Sequence, residues 1–426
     1  MPKKPKIQTP TGMHDILPED YKYYQKLYEV VSDIADFYNF GRIETPMIEQ
    51  TELFAKSIGK GTDIVNKEMY SFKTKGGDNV SLRPEGTAPV ARAYIQNGLH
   101  VRPQPLKLWY FGPYFRYERP QAGRYRQFWQ FGFEVFGEQG AVIDAQVIQI
   151  FYNILKELKL KDLIVQVNSI GDSQCRPYYK KLLSSHLKSR SSSLCGDCKK
   201  RIKENILRVL DCKEDKCQPI ITEAPQILDH LCDECHSHFK EVLEFLDELE
   251  IPYNLNPHLV RGLDYYTKTV FEFFTEKGEN PIALGGGGRY DKLIKVLRGK
   301  DTPACGAAAG VERIINLMKE QDVNLGKEKE PQVFLAQLGN LAKRKSLKLL
   351  EDFRKSNVQI AESFGRDSLK AQLSRADRIG AKYALIFGQK EALEEKILIR
   401  DMKTGKQEMV SLDEVAKKVK KKLRKR

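Results

Sequence analysis

The sequence predicts an α+β protein: an antiparallel sheet with flanking helices, a helical insertion, and a separate α/β domain at the C-terminus. Three observations carry that expectation. Residues 108–137 read LWYFGPYFRYERPQAGRYRQFWQFGFEVFG, two aromatic-rich runs around a basic, Gly- and Pro-containing middle. That is the pattern of two antiparallel strands joined by a long loop. From about Gly171 to Glu250 aromatics thin out while Cys, Lys and Ser become frequent, as in an inserted, mostly helical module. After the charged stretch GKEKEP (326–331), the runs VFLAQLG, VQIAES and YALIFG alternate with helical segments. Such alternation builds a small α/β domain on a parallel or mixed sheet.

The elements follow in order. Residues 20–38 space their apolar side chains near 3.6 and read as an amphipathic helix. GRIETPMIEQTELFAKSIG starts strand-like, meets Pro46 and runs into a second helix. NVSLRPEGTAPVARAYIQ reads as strand, turn and helix, with Arg83 to Thr87 at a turn whose backbone N–H groups are expected to be free. Residues 141–158 look helical and 163–168 look like a strand. The sheet pattern returns at 251–274, followed by ALGGGGRYDKLI and ACGAAAGVERIINLM. The expected domains are 1–170, the insertion 171–250, the return 251–326, and 331–426.

Side chains alternate faces along a strand. Gly112, Tyr114, Arg116 and Glu118 therefore share one face of the first hairpin strand, and Gln130, Gly132 and Glu134 one face of the second. Phe131, Phe133 and Val135 point the other way, toward a core. Buried charge costs several kcal/mol unless paired, so a face with Arg, Glu, Gln and Glu around two glycines suits a polar, charged ligand. The bland alternative is a solvated outer face with cross-strand ion pairs.

Composition narrows the partners. The 426 residues carry a formal charge of +14, and residues 331–426 hold 24 Lys and Arg against 12 Asp and Glu. An excess concentrated in the last quarter points to a polyanion, most often nucleic acid, or else to a solvated basic tail. No run approaches the roughly 20 apolar residues of a membrane span, and the N-terminus lacks an apolar signal core. A cytoplasmic protein without membrane association is expected. Of eight cysteines, six lie between Cys195 and Cys235. Cys195-x-x-Cys198 and Cys232-x-x-Cys235 have zinc-knuckle spacing, with Cys212, Cys217, His236 and His238 nearby, but the gap between the pairs exceeds the usual zinc-ribbon interval. Reduced thiols in a small helical domain are the alternative, and no metal ligand is assigned from sequence.

Three further segments join the hairpin: Glu85-Gly86-Thr87, a carboxylate and hydroxyl at a Gly turn; Arg261-Gly262-Leu263-Asp264-Tyr265-Tyr266 ahead of a strand; and Gly285 to Gly288 with Arg289-Tyr290-Asp291, followed by Gly310-Val311-Glu312-Arg313 opening a helix. Four consecutive glycines allow close approach of a ligand or another chain. Arg313 near a helix N-terminus suits a phosphate. There is no Rossmann fingerprint and no Walker A loop.

Together these segments resemble the histidyl-tRNA synthetases of the class II aminoacyl-tRNA synthetases, over nearly the whole chain. ETPMIEQTELFAKSIG is similar to motif 1, FRYERPQAGRYRQFWQFGFEVFG to motif 2, and GAAAGVERI to motif 3. LVRGLDYYTKTVFEF and ALGGGGRYD are similar to the two signatures of the histidine enzymes, and SLKAQLSRADRIGAKYALIFGQKE to the anticodon-binding domain.

The resemblance implies a class II antiparallel sheet, a homodimer with Pro46 at its interface, and ATP, L-histidine and a histidine-accepting tRNA as substrates, with Mg2+. The histidine carboxylate would attack the α-phosphate of ATP, expel pyrophosphate, and then pass to the terminal ribose of the tRNA. Orientation and charge would do the catalysis. By resemblance, Arg116, Arg261 and Arg313 are the catalytic residues. Arg116, Glu118 and Arg313 would hold ATP, at the α-phosphate, adenine amino group and γ-phosphate. Glu85, Gly86, Thr87, Arg116, Gln130, Glu134, Arg261, Tyr265 and Tyr266 would bind histidine, with Glu134 and Tyr266 at the two ring nitrogens. Tyr265, Tyr290 and the Gly run would line the pocket. Arg119, Arg124 and Arg126 would meet the tRNA acceptor end. The segment after Ala416 reads as lying beyond the family core, with only non-specific RNA affinity expected of Lys417 to Arg426.

Two alternatives stay in view. A non-catalytic paralogue serves as regulatory subunit of ATP phosphoribosyltransferase, and typically lacks the anticodon domain and loses the ATP-binding arginines. A sister synthetase for glycine, threonine or proline would have no use for paired ring-nitrogen partners.

Overall fold

The computed structural model describes residues 7–121, 123–275, 283–326, 330–365 and 368–424. Residues 327–329, the middle of the charged linker, lie outside them. The chain divides into two compact units, Met1–Leu325 and Gly326–Arg426.

The first unit is built on an eight-stranded sheet. Its spatial order is Gly41–Arg42, Leu106–Phe115, Gln127–Phe136, Ala304–Gly310, Gly285–Arg289, Thr267–Thr275, Leu163–Ser169 and Tyr253–Leu255. The six inner strands are antiparallel throughout. Two short edge strands, Gly41–Arg42 and Tyr253–Leu255, join in parallel and make the whole sheet mixed rather than purely antiparallel. A second, three-stranded antiparallel sheet holds Ile48–Gln50, Asn79–Leu82 and Ser71–Lys73.

The hairpin divides its faces as the period of two requires. Phe131, Phe133 and Val135 lie in the main core with Phe151 and Phe273. The helices Pro18–Phe37, Ala141–Glu157 and Val311–Glu320 cover that face. Burying a large aromatic contributes about 1.5–3 kcal/mol each, so this layer sets the rigidity of the opposite, polar face. The helix Asp233–Glu248, from the second half of the 171–250 stretch, adds Phe239, Val242 and Leu246 to the same core.

A buried ion pair pins these layers. Arg289, at the end of the strand Gly285–Arg289, donates to Asp144 Oδ1 and Oδ2 from Nε at 3.3 and 3.0 Å and to Oδ2 from Nη2 at 2.5 Å. It also reaches the Glu138 and Gly140 carbonyls. His238 sits 3.3 Å from Asp144. Burial works against the Asp144 charge, but Arg289 and His238 outweigh it and hold its carboxyl below the usual range.

The stretch 171–250 contains the helices Cys175–Ser189, Gly196–Glu204, Gln218–Thr222 and Asp233–Glu248 with short 3-10 turns between them. In the second unit the sheet order is Ile360–Glu362, Val333–Gln337, Tyr383–Phe387, Lys396–Asp401, Gln407–Ser411. Its first three strands are parallel and the rest antiparallel. The Lys/Arg-rich end is no loose tail. Leu412–Arg424 is a helix that buries Val415, Ala416 and Val419, while Lys418 and Lys422 pair with Glu408.

Candidate active site

A cleft opens on the polar face of the main sheet. It gathers segments far apart in sequence: Glu85 to Thr87, Arg116, Glu118, Arg124, Phe128, Gln130, Arg261, Tyr265, Tyr266, Glu272, Gly285, Gly286, Glu312 and Arg313 all line it. Every expected histidine- or ATP-binding residue is therefore at the cleft except Glu134, which lies fully buried beneath its wall.

Glu134 is held by three hydroxyls. Thr87 Oγ1 donates at 2.7 Å and Tyr110 OH at 3.2 Å to Oε1, while Tyr290 OH donates to Oε2. Burial raises its pKa to about 8, against the lowering effect of the hydroxyls and with a further push from Glu85. Tyr290 therefore supports the cleft from below rather than lining it, and Tyr265 and Tyr266 pack against its ring at 5.5 and 6.2 Å.

Glycines make this network possible. A Cβ on Gly306 would stand 1.8 Å from Glu134 Oε2, and one on Gly132 2.3 Å from Tyr110 OH. Within the Gly run, Gly285 and Gly286 border the cleft, as expected of a ligand approach. All four also admit the neighbouring strands: a Cβ would stand 2.8 Å from the Ala308 carbonyl at Gly285, 2.5 Å from that of Phe271 at Gly286, 2.1 Å from that of Gly306 at Gly287 and 2.3 Å from that of Thr269 at Gly288.

The turn around Arg83 differs from expectation. Two of its N–H groups are taken, Arg83 N by Met47 O at 2.9 Å and Thr87 N by Glu85 at 2.7 Å; Glu85 also accepts from Ala88 N at 2.9 Å and so caps the helix Thr87–Gln96. Burial nevertheless raises the Glu85 pKa. Arg83 is a staple, donating to Thr45 O at 2.7 Å and Pro113 O at 3.0 Å with its guanidinium over the Tyr114 ring.

The arginines form a positive wall. Arg116 donates to Pro84 O at 2.8 Å and lies 5.3 Å from the centre of the Phe128 ring. Arg313 is positioned by Gly123 O at 3.2 Å and Ala283 O at 2.6 Å. Its pKa is lowered first by burial and then by the charges of Arg124 and Arg116, with Glu118 and Glu272 acting the other way. Arg124 and Arg116 flank Glu118 at 3.6 and 3.8 Å. Of the three arginines expected at the tRNA acceptor end, Arg119 is exposed, Arg124 lines the cleft, and Arg126 lies on the Tyr117 ring at 3.8 Å while donating to the Glu118 carbonyl.

Sequence reasoning gave no role to Glu272 or Glu312. Glu272 pairs with Arg261. Burial opposes the Arg261 charge and Glu272 more than restores it. Glu312 accepts from Trp129 N at 2.8 and 3.0 Å and Tyr24 OH at 3.3 Å, and burial pushes its pKa up to about 7. Two buried polar atoms of cleft residues, Gln130 Oε1 and Arg261 Nε, have no hydrogen-bond partner among the described residues. Burying such groups unpaired costs about 1–3 kcal/mol each, which a ligand would recover.

The cysteines form two separate groups rather than one pair-with-pair site. Cys195, Cys198, Cys212 and Cys217 converge, and Asp172, Cys175, Cys232 and Cys235 converge elsewhere in the insertion. His236 and His238 belong to neither.

Comparison with known proteins agrees with this geometry. The model of the histidyl-tRNA synthetase family matches residues 12–314, and that of the anticodon binding domain residues 332–422. The second match takes in most of the basic C-terminal helix and corrects the expectation that the segment after Ala416 lies beyond the family core. The chain is 44% identical to a histidine–tRNA ligase of Dehalococcoides mccartyi over 416 residues, 98% of this chain and 100% of the relative. It is 46% identical to that of Desulfitobacterium hafniense over 401 residues, 94% and 95% of the two chains. The crystal structure of apo Staphylococcus aureus histidyl-tRNA synthetase superposes with a TM-score of 0.80 at 35% identity, covering 97% of this chain and 99% of the other.

Proposed function

Because the chain belongs to the histidyl-tRNA synthetase family, we propose that it is an ATP-dependent histidine–tRNA ligase and that the cleft on the main sheet is where histidyl-adenylate forms. One observation carries the reading: a single cleft joins a set of four arginines, Arg116, Arg124, Arg261 and Arg313, to a polar set of Glu85, Thr87, Gln130, Tyr265 and Tyr266. The first suits a triphosphate, the second a small polar amino acid.

In this reading Arg116, between Pro84 O and the Phe128 ring, holds the α-phosphate and substrate carboxylate, and Arg313 the γ-phosphate. Guanidinium forks match phosphate oxygens and stay charged. The adenine would stack on Phe128 and meet Glu118. Arg261, kept charged by Glu272, would place a second positive charge at the α-phosphate as the histidine carboxylate attacks and pyrophosphate departs. Thr87 and Gln130 would take the amino acid's backbone end; Glu85 can contribute only by sharing a carboxylate already engaged as a helix cap. Tyr266 and Glu134 would take the imidazole nitrogens, Glu134 by exchanging a hydroxyl partner for the ring.

Each cleft carboxylate already has a protein partner: Glu85 with two amides, Glu118 with two arginines, Glu272 with Arg261, Glu312 with an amide and a phenol. This set does not fit a resident Mg2+ cage, so magnesium is assigned only as the counter-ion that ATP brings. The basic second unit would bind tRNA, and Arg119 its acceptor end. A homodimer at motif 1 is supported by the exposed apolar side chains of Met47, Ile48 and Phe72 near Pro46. Among the described residues no helix is long and apolar enough to cross a membrane, and a translation enzyme is assigned to the cytoplasm.

The test is ATP–pyrophosphate exchange with each of the twenty amino acids singly. Exchange with histidine alone is expected. No exchange with any amino acid, by a folded chain, would shift the reading to the regulatory paralogue.

A further inference from the structure

Seven of the eight cysteines sit in two tight groups that the ligase chemistry does not use. We propose that Cys195, Cys198, Cys212 and Cys217 bind one structural zinc ion. Their four sulfurs lie within 4.8 Å of one another, and Cys195 Sγ is 3.8 Å from Cys212 Sγ. A tetrahedral zinc with Zn–S near 2.3 Å needs sulfur–sulfur edges of about 3.8 Å. All four residues are buried. Apolar packing alone would scatter cysteines through the module; it gives no reason for four sulfurs to share one point.

The local backbone is arranged for thiolates. Cys198 N donates to Cys195 Sγ at 3.3 Å, and Cys195 N to Cys217 Sγ at 3.3 Å. Amide donors stabilise the charged form of the sulfur. Cys195 caps the helix Gly196–Glu204 and Cys198 lies in its first turn, where the helix dipole favours an anion. The surrounding elements are short, and a small module of this kind gains much of its stability from a staple.

The ion would also brace the cleft. Between Cys198 and Cys212 the chain carries Arg201, Asn205 and Arg208. Arg201 donates to Asp63 at 3.2 Å, Arg208 lies 3.6 Å from Asp63, and Asn205 donates to Asp264. Arg208 also lies over Gly262, where a Cβ would stand 2.9 Å from its Nη1. Gly262 and Asp264 belong to the segment that presents Arg261, Tyr265 and Tyr266. The zinc site stands without the proposed reaction; only this bracing role rests on it.

The other group carries a second ion on separate evidence. We infer that Cys175, Cys232 and Cys235 with Asp172 form a zinc site with three sulfurs and one carboxylate oxygen. Their ligand atoms also lie within 4.8 Å of one another. Cys232 N donates to Cys175 Sγ at 3.1 Å, and Cys232 stands at the N-cap position of the helix Asp233–Glu248 with Cys235 in its first turn, though its sulfur accepts no capping bond as that of Cys195 does. Asp172 Oδ1 accepts from Gln174 N at 2.8 Å, which fixes the carboxylate toward the sulfurs.

The experiment measures zinc per chain on the full-length protein, purified reduced and without chelator, by mass spectrometry of the metal. Two equivalents are expected. Cys212→Ser and Cys217→Ser should each lose one, and Cys235→Ser the other. Replacement by cobalt needs no variant and should give intense sulfur-to-metal charge-transfer bands of a tetrahedral site. A chain that carries no zinc, takes up no cobalt and offers all seven thiols to a thiol reagent without metal release overturns both sites. One equivalent that Cys235→Ser leaves in place overturns the second. Loss of the Cys212 ion should raise the histidine KM in exchange by roughly tenfold; an unchanged KM overturns the bracing role, while metal content judges the site independently of whether the chain activates histidine at all.

Discussion

Replacing Glu134 by Gln should stabilise the protein at alkaline pH while it damages histidine activation. The carboxyl is fully buried, accepts from Thr87, Tyr110 and Tyr290, and has its pKa raised to about 8 from a usual value of 4.5. Between those values the folded state binds a proton that the unfolded state has released, so stability falls as pH rises through that window. At about 1.4 kcal/mol per pKa unit, the loss assignable to this group between pH 5.5 and 8.5 is about 3 kcal/mol. Gln keeps the shape and copies the neutral acid, and the surrounding hydroxyls rotate to donate or accept. Its stability carries no such slope. In thermal unfolding across that pH range the variant should gain on wild type steadily, by several degrees in Tm at the alkaline end. In the proposed binding mode Glu134 meets the imidazole as a carboxylate, a charge Gln cannot carry, so the histidine kcat/KM for pyrophosphate exchange should fall by about 10²-fold, as for a charged contact worth about 2–3 kcal/mol. Parallel Tm-against-pH curves for the two proteins would refute the neutral, buried carboxyl; unchanged exchange would refute its place at the imidazole.

Three other outcomes follow from the geometry. Arg261→Met should abolish adenylate formation and, by stranding the Glu272 carboxylate, cost about 3–5 kcal/mol of stability, most of it recovered in the double variant Arg261→Met/Glu272→Leu; a double-mutant cycle with no coupling would count against the pair. Gly306→Ala should lower stability by about 1–3 kcal/mol and histidine activation with it, because its Cβ would fall 1.8 Å from Glu134 Oε2; normal exchange in a soluble Gly306→Ala protein would show that the network does not matter. A chain ending at Leu325, the boundary of the first compact unit, should retain histidine-dependent exchange yet lose tRNA charging by about 10²-fold or more, and the full chain's tRNA affinity should drop steeply with salt; equal charging by both chains would leave the basic second unit without its role.

What could be read from the sequence was what has a short period or a local motif. Alternation at Phe131, Phe133 and Val135 against Gln130 and Glu134 separates core from site because a strand has period two, and the structure keeps that division. Glu272 obeys the same rule, yet within TKTVFEFFT one carboxylate between aromatics also fits a solvated face. Only its partner Arg261, eleven residues earlier and across a turn, marks it as part of the cleft. Arg289, Asp144 and His238 meet from three segments far apart in the chain, and no spacing announces such a cluster. The C-terminal helix was hidden differently: Val415, Ala416 and Val419 have helical spacing, but the surrounding lysines make the segment look like a solvated tail, until Glu408 takes up two of those charges. The cysteines show most clearly where local motifs end. Each Cys-x-x-Cys pair sets a knuckle at a helix start, but its completing ligands come from the fold: Cys212 and Cys217 for one, Asp172 and Cys175 for the other. A motif fixes half of such a site because half a site is what a single turn can hold. The remaining ligands depend on which turns the core brings together, and in this chain the stretch between Cys198 and Cys212 meets the loop that carries Arg261 through Asn205 and Asp264.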